Sequence, residues 1–265
     1  MKNLLLITAL LWSCLSFSKV IVVSDIDDTI KETNTMSPTG KIYYFLRNKP
    51  FKHMSAIYRE LDSFYKTSGE DIEFFYVSAA PDFIFNQQKF LRKYRFPMGK
   101  TFLKKISSPE TYAYKYLTIK QILEANYNEG DTVIFLGDNS EHDPAVYVDI
   151  TNNLNLENAE ILVRDVSTQA TNLASGLGIK RLPGVQYFFS EMELAEAPVM
   201  HFLSNKTLGS IAKDYKAKSL VPSFTLKTLE TRLEKKLNCK DRSCKRYAEK
   251  KAKKIFGNYY LKYSL

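Results

Sequence analysis

KVIVVSDIDDTIK, residues 19–31, decides how this chain is read. The run from Lys19 to Ser24 is apolar and β-branched without alternation. Such a run reads as a β-strand. It stops abruptly in carboxylates at Asp25, Asp27 and Asp28. In open α/β sheets the C-terminal strand ends are where ligands and chemistry collect.

Working outward, three more runs have strand character: Glu73 to Ser78, Thr132 to Leu136 and Glu160 to Val163. Between them, apolar residues recur at helical spacing in Ser55 to Tyr65, Phe83 to Tyr94 and Tyr116 to Ala125. Alternating strand and helix predicts an α/β protein with a doubly wound parallel sheet and helices on both faces. With 265 residues, 45% hydrophobic content, 17 Tyr and 17 Phe, the chain can bury one sizeable core, which excludes disorder as the default. Beyond the N-terminus no apolar run is long enough to span a bilayer.

Residues 1–18, MKNLLLITALLWSCLSFS, carry a Lys, an apolar stretch and then small residues, the order of a secretory signal cleaved after Ser18. The alternative is a lipoprotein signal with Cys14 lipidated, against which Trp12 counts. Cleavage leaves Cys239 and Cys244, an even pair that suits an oxidising compartment; a metal site lacks further Cys or His ligands nearby, and two free thiols are the third reading. The expectation is a secreted or periplasmic protein.

The formal charge of +9 is uneven. Residues 1–204 hold 21 Lys and Arg against 24 Asp and Glu, whereas residues 205–265 hold 17 against 5. A boundary is expected near Ala197-Pro198, giving a domain over 19–197 and a basic helical extension over 198–265. In that extension Leu226, Leu229, Leu233 and Leu237 form a stripe at helical spacing, and the stretch Lys245 to Lys254 follows. The tail reads either as two helices packed on the domain with a solvated Lys face, or as a contact for an anionic membrane surface; nucleic acid is not excluded.

Chemistry concentrates at four places. The first strand delivers Asp25 and Asp27; a carboxylate can attack phosphorus, and a second can protonate the leaving oxygen and later activate water. Asp28 reads first as a turn or helix-capping residue and second as a catalytic one. The strand FYVSAAP, residues 75–81, ends on Ser78, a hydroxyl donor. Lys115, preferred over Lys120 by the spacing of Ile119 and Ile122, offers an ammonium to a phosphoryl group. GDNSEHDP, residues 137–144, adds Asp138 and Asp143 after another strand. Neighbouring strand ends bring these carboxylates toward one hard divalent ion, Mg²⁺. Asp25, Asp27, Asp138 and Asp143 are its candidate ligands. His142 reads as a surface group or a support behind the ligands rather than a base, and Asp82 as a helix cap.

An acidic pair, then Ser, then Lys, then the glycine-acidic motif is the signature order of the haloacid dehalogenase-like superfamily, which this chain resembles over about residues 19–195. Within it, SDIDDTIK (24–31), YVSAAP (76–81), FPMG (96–99), KYLTIKQIL (115–123), and Gly137-Asp138 through Asp143-Pro144 and Tyr147 resemble the catalytic domain of actin-patch-type phosphatidate phosphatases. The resemblance implies a Rossmannoid sheet with a minimal cap and Mg²⁺-dependent release of phosphate from phosphatidate or a related phospholipid. It also implies Asp25 as nucleophile, Asp27 as acid/base, Ser78 and Lys115 as phosphate ligands, and Asp138 and Asp143 on the metal side. His53 departs from it, standing where Gly is expected before Met54, and so does Ala79-Ala80-Pro81, where a more hydroxyl-rich segment is expected.

About forty residues, Thr33 to Ile72, separate the first two motifs, too few for a large folded cap. An open site favours a surface-presented phosphomonoester: a phosphorylated lipid, a protein or a polynucleotide end. The remaining alternative is an anionic-surface binding module whose acidic site is a relic. The retained Asp25, Asp27, Ser78, Lys115 and Asp138 speak against it.

Overall fold

The computed structural model describes residues 18–33, 48–81, 86–105, 107–140, 142–166, 181–216, 230, 233–234 and 237–262. The signal segment before Ser18, with Trp12 and Cys14, lies outside them. So do Asp82, Leu226, Leu229 and residues 34–47, where part of any cap would sit.

Six strands form one parallel sheet: β1 (Val20–Ser24), β2 (Ile72–Pro81), β3 (Lys100–Lys104), β4 (Thr132–Asp138), β5 (Asn158–Arg164) and β6 (Val185–Phe188). Their spatial order is β3-β2-β1-β4-β5-β6. The chain winds outward from β1 to β3, then returns to place β4 on the other side of β1. The ends of β1 and β4 therefore flank the topological switch point, where an open sheet offers a crevice.

β1 is apolar from Val20 to Val23 because both of its faces are covered. Val20 and Val22 face one core and Ile21 and Val23 the other, all with no exposed surface. The second core is closed by α3 (Thr111–Asn126) and α4 (Asp143–Asn153), through Ile119, Ile122, Val146 and Ile150. The first is closed by α1 (Met54–Thr67) and α2 (Gln87–Tyr94), which supply Ile57, Leu61, Phe90 and Leu91. Helices thus cover both faces, as a parallel sheet requires.

Two strands, β3 and β6, escape the sequence reading. The first is an edge strand bounded by Lys100 and Lys104, and the second is only four residues long, so neither shows a buried apolar run. The helix expected from Phe83 is described from Gln87, where the Asn86 side chain caps the Lys89 N–H at 2.8 Å. Helix α4 went unread because Val148, Ile150 and Thr151 are β-branched.

Residues on both sides of Ala197-Pro198 share the first core. Leu194 of α5 (Glu191–Ala195), Val199, Met200, Ile211 of α6 (Asn205–Lys216), Leu233, and Ala248 and Ala252 of α7 (Arg242–Lys262) all belong to it. Two carboxylates fasten α6. Glu60 of α1 accepts from the N–H and hydroxyl of Ser204 and from the Thr207 hydroxyl at 2.5–2.8 Å. At the other end Asp214 meets Lys52 at 2.7 Å and His53 at 2.6 Å. Cys239 and Cys244 form a disulfide with Cα atoms 5.2 Å apart. Among the described residues no helix is long and apolar enough to cross a membrane.

Candidate active site

β1 hands the chain to a tight loop. The Asp25 N–H donates to the Leu136 carbonyl of β4 at 2.8 Å, which locks the first carboxylate over the switch point. Asp28 adopts a left-handed φ of 57° and closes the loop: its N–H donates to the Thr33 hydroxyl at 2.8 Å, and its carboxylate accepts from the Thr33 N–H at 3.0 Å. Asp residues tolerate that conformation because a short polar side chain can bond locally. The surplus carboxylate of the motif is thus a turn residue, as expected.

The loop presents Asp25 to three partners. Thr29 donates its hydroxyl to Asp25 Oδ2 at 3.2 Å and lies 3.5 Å from Asp138 Oδ2. Lys115 reaches in from α3, its ammonium 2.9 Å from Asp25 Oδ1 and hydrogen-bonded to Asp143 Oδ1. Lys120, by contrast, is exposed and faces Glu124 at 3.5 Å. Asp138 closes β4; its N–H donates to Asp143 Oδ2 at 3.3 Å, and its Oδ1 accepts from the Ser140 N–H at 2.6 Å. Gly137 makes this packing possible, since a Cβ there would lie 2.7 Å from Asp143 Oδ2 and 2.7 Å from the Tyr147 ring.

Asp25, Asp138 and Asp143 are buried, with ligand atoms within 4.8 Å of one another. Burial drives the Asp25 carboxyl well above its usual range; Lys115 offsets part of this, and Asp143, Asp138 and Asp27 push it further up. Burial likewise raises Asp138, helped by Asp143 and Asp28 against Lys115 and Ser140. For Lys115, burial opposes the charged form, but Asp143, Asp25 and Asp138 outweigh it and hold the ammonium well above its ordinary value. Three carboxylates sharing one ammonium leave negative charge uncompensated. A divalent cation with oxygen preference fits that donor set.

Asp27 stands apart from this trio, a difference from the four-carboxylate set expected for the metal. Its Oδ2 accepts from the Ser78 hydroxyl at 2.9 Å, and its Oδ1 is 3.5 Å from the ammonium of buried Lys31. Ser78 accepts in turn from the Ala80 N–H at 3.0 Å. The loop after β1 separates the two side chains: Asp25 meets Thr29 and Lys115 beside the end of β4, and Asp27 meets Ser78 of β2. His142 is exposed at the start of α4, edge-on to Tyr112.

Three supporting residues had no role in the sequence reading. Thr29 ties Asp25 to Asp138, and Lys31 faces Asp27. Arg164, the last residue of β5, is wholly buried; it donates to the Thr29 carbonyl at 3.3 Å and pairs with Glu191 at 2.8 Å. Its guanidinium also stacks 3.9 Å from the Phe51 ring centroid and 4.8 Å from that of Phe188. An Arg closing an apolar strand was the signal available for it.

Residues 20–165 match the family described as "Phosphatidate phosphatase APP1, catalytic domain". All six site residues, Asp25, Asp27, Ser78, Lys115, Asp138 and Asp143, fall inside that span. Among solved structures, a class C acid phosphatase from Bacillus anthracis with tungstate bound is similar over 58% of this chain and 67% of its own, at 15% identity and a TM-score of 0.30. No curated protein matches the chain.

Proposed function

Because this chain belongs to the phosphatidate phosphatase APP1 catalytic-domain family, we propose that it is a Mg²⁺-dependent phosphomonoesterase acting on phosphatidate or a related phospholipid phosphomonoester. The observation that carries the chemistry is the convergence of Asp25, Asp138, Asp143 and Lys115 at the switch point, with Asp27 held beside Ser78 two residues along the same loop.

In this reading an Asp25 oxygen attacks phosphorus as the phosphorus–alkoxide bond breaks, giving an aspartyl-phosphate. Asp27 gives its proton to the departing alkoxide. The resulting carboxylate then takes a proton from water, whose oxygen attacks the same phosphorus and releases Asp25 and inorganic phosphate. Asp25, Asp138 and Asp143 would hold Mg²⁺, which supplies neutralising charge between these carboxylates and the phosphate dianion. Lys115, bonded to Asp25 and Asp143, adds a second positive charge beside Asp25. Ser78 redirects its hydroxyl from Asp27 to a phosphate oxygen, which frees Asp27 Oδ2 for the proton.

The Cys239–Cys244 disulfide supports action in an oxidising compartment outside the cytosol. Phosphate release from phosphatidate vesicles and from an aryl phosphate, with and without Mg²⁺ and with Asp25→Asn as control, tests the whole reading. Metal-dependent turnover lost in Asp25→Asn and higher on vesicles is the expected result. Turnover that survives Asp25→Asn would overturn the nucleophile assignment, and equal preference for soluble phosphates would overturn the lipid assignment.

A further inference from the structure

We propose that the α2–β3 edge of the sheet is a docking surface for an anionic phospholipid bilayer, which would bring headgroup phosphates to the site beside Ser78. The inference deepens the phospholipid reading above and rests on it for its purpose. Its own basis is charge and placement. Residues 86–105 contain seven Lys and Arg and no Asp or Glu. Every one of the seven is exposed except half-buried Lys104, and among the described residues none of them forms an ion pair with a carboxylate. Some lysines elsewhere on the surface are matched to acids one helical turn away, as in Lys66–Asp62 and Lys253–Glu249.

The surface is also shaped. Asn86, Gln88, Lys89, Arg92 and Lys93 line an open groove of about 480 Å³ along α2. Gln88 ties the groove to β3 through the Gly99 carbonyl at 2.9 Å, and at the other end of that strand Leu103 pairs with Ser78, so that Lys104 and Lys105 carry the basic edge to the catalytic end of the sheet. Met98, 47% exposed, lies in the connection between α2 and β3 and offers an apolar side chain from the same segment.

Single-stranded nucleic acid fits this edge less well. Base stacking needs free aromatic faces, yet Lys93 lies 5.0 Å from the Tyr94 ring centroid and Lys100 5.4 Å from that of Phe75. A bilayer needs only clustered cations with an apolar contact, and each cation near an anionic leaflet adds attraction that salt weakens.

The test is vesicle binding by the full chain, using phosphatidylcholine vesicles with phosphatidylglycerol and no phosphatidate. Two triple variants are compared: Lys89→Glu/Arg92→Glu/Lys93→Glu on the edge, and Lys245→Glu/Lys250→Glu/Lys254→Glu on α7. Both are checked for native circular dichroism and unfolding midpoint. Wild-type binding that falls about 100-fold or more in the edge variant, and much less in the α7 variant, is expected. Failure of the wild type to bind, an equal loss in both variants, or a loss confined to α7 overturns the proposal. So does a single-stranded oligonucleotide that displaces the vesicles through the edge residues. Phosphate release from p-nitrophenyl phosphate by the wild type is scored separately. Its absence would sink the catalytic reading, while vesicle binding still decides this one.

Discussion

The Lys115 ammonium lies 2.9 Å from Asp25 Oδ1 and also bonds Asp143, so a single cation from α3 joins the end of β1 to the start of α4. Both its partners and the ammonium itself are at least 96% buried. Removing it leaves two buried carboxylates without their counter-ion. Lys115→Met is therefore expected to destabilise the metal-free fold by about 3–5 kcal/mol, as loss of one partner from a buried pair does. It should also lower kcat by about 10²–10³. Urea unfolding and phosphate release measure the two effects. Lys120→Met, five residues on and exposed, should change neither.

The acid side of the site predicts a pH dependence. Unfolded, an Asp carboxyl titrates near 3.8, whereas burial and like charges raise Asp25 and Asp138 well above that. Between the two values the folded chain holds more protons than the unfolded one, so these groups make metal-free stability fall as pH rises through that window. A divalent cation competes with the same protons. Mg²⁺ should therefore stabilise the fold more at pH 8 than at pH 5, reaching about 2.7 kcal/mol when its concentration is 100 times its Kd. Thermal unfolding with Mg²⁺ and with EDTA across that range is the measurement. A Mg²⁺ increment independent of pH would mean that the trio does not bind the metal.

Asp25, Asp138 and Asp143 could be picked from the sequence because each sits at a strand end or just after one, where parallel topology makes distant positions neighbours. Ser78 was legible for the same reason, and Lys115 from the spacing of Ile119 and Ile122 on its helix. The sheet itself was only partly so: β1, β2, β4 and β5 are buried apolar runs, while β3 is marked by Lys100 and Lys104 at an edge and β6 has four residues. The buried charges were the harder problem. Lys31 and Arg164 are each 0% exposed, yet a sequence displays them as ordinary basic residues. Arg164 is paired with Glu191, 27 residues on, which only the fold brings within reach, and Lys31 faces Asp27, four residues before it, at a spacing that does not announce burial.

Arg164 and Glu191 supply the third prediction. Arg164 holds the Thr29 carbonyl, and the Thr29 hydroxyl in turn bonds Asp25, so the Arg164–Glu191 pair braces the loop that carries Asp25. Glu191→Ala leaves the guanidinium buried without its charge partner and should cost about 3–5 kcal/mol in urea unfolding. Arg164→Lys should recover little of an Arg164→Met loss. A single ammonium cannot reach Thr29, Phe189 and Glu191 together as the planar fork does. Full recovery by Lys would reduce the role of Arg164 to its charge.

His53 gives a prediction in which the departure from the family pattern is itself the variable. It takes a left-handed φ of 71° immediately before α1, a conformation natural to the Gly expected there. The strain is retained alongside a contact that Gly cannot make, since His53 Nε2 lies 2.6 Å from Asp214 near the end of α6. Replacing His53 by Gly loses that contact but relieves the backbone; replacing it by Ala loses the contact and keeps the strain. His53→Ala should thus be less stable than His53→Gly by about 1–2 kcal/mol, the usual penalty for a Cβ in the left-handed region. Asp214→Ala, which breaks the contact and leaves the backbone unchanged, isolates the other term. If the two His53 variants unfold at the same urea concentration, the left-handed turn relaxes when the side chain is lost, and Asp214 is what holds it in place.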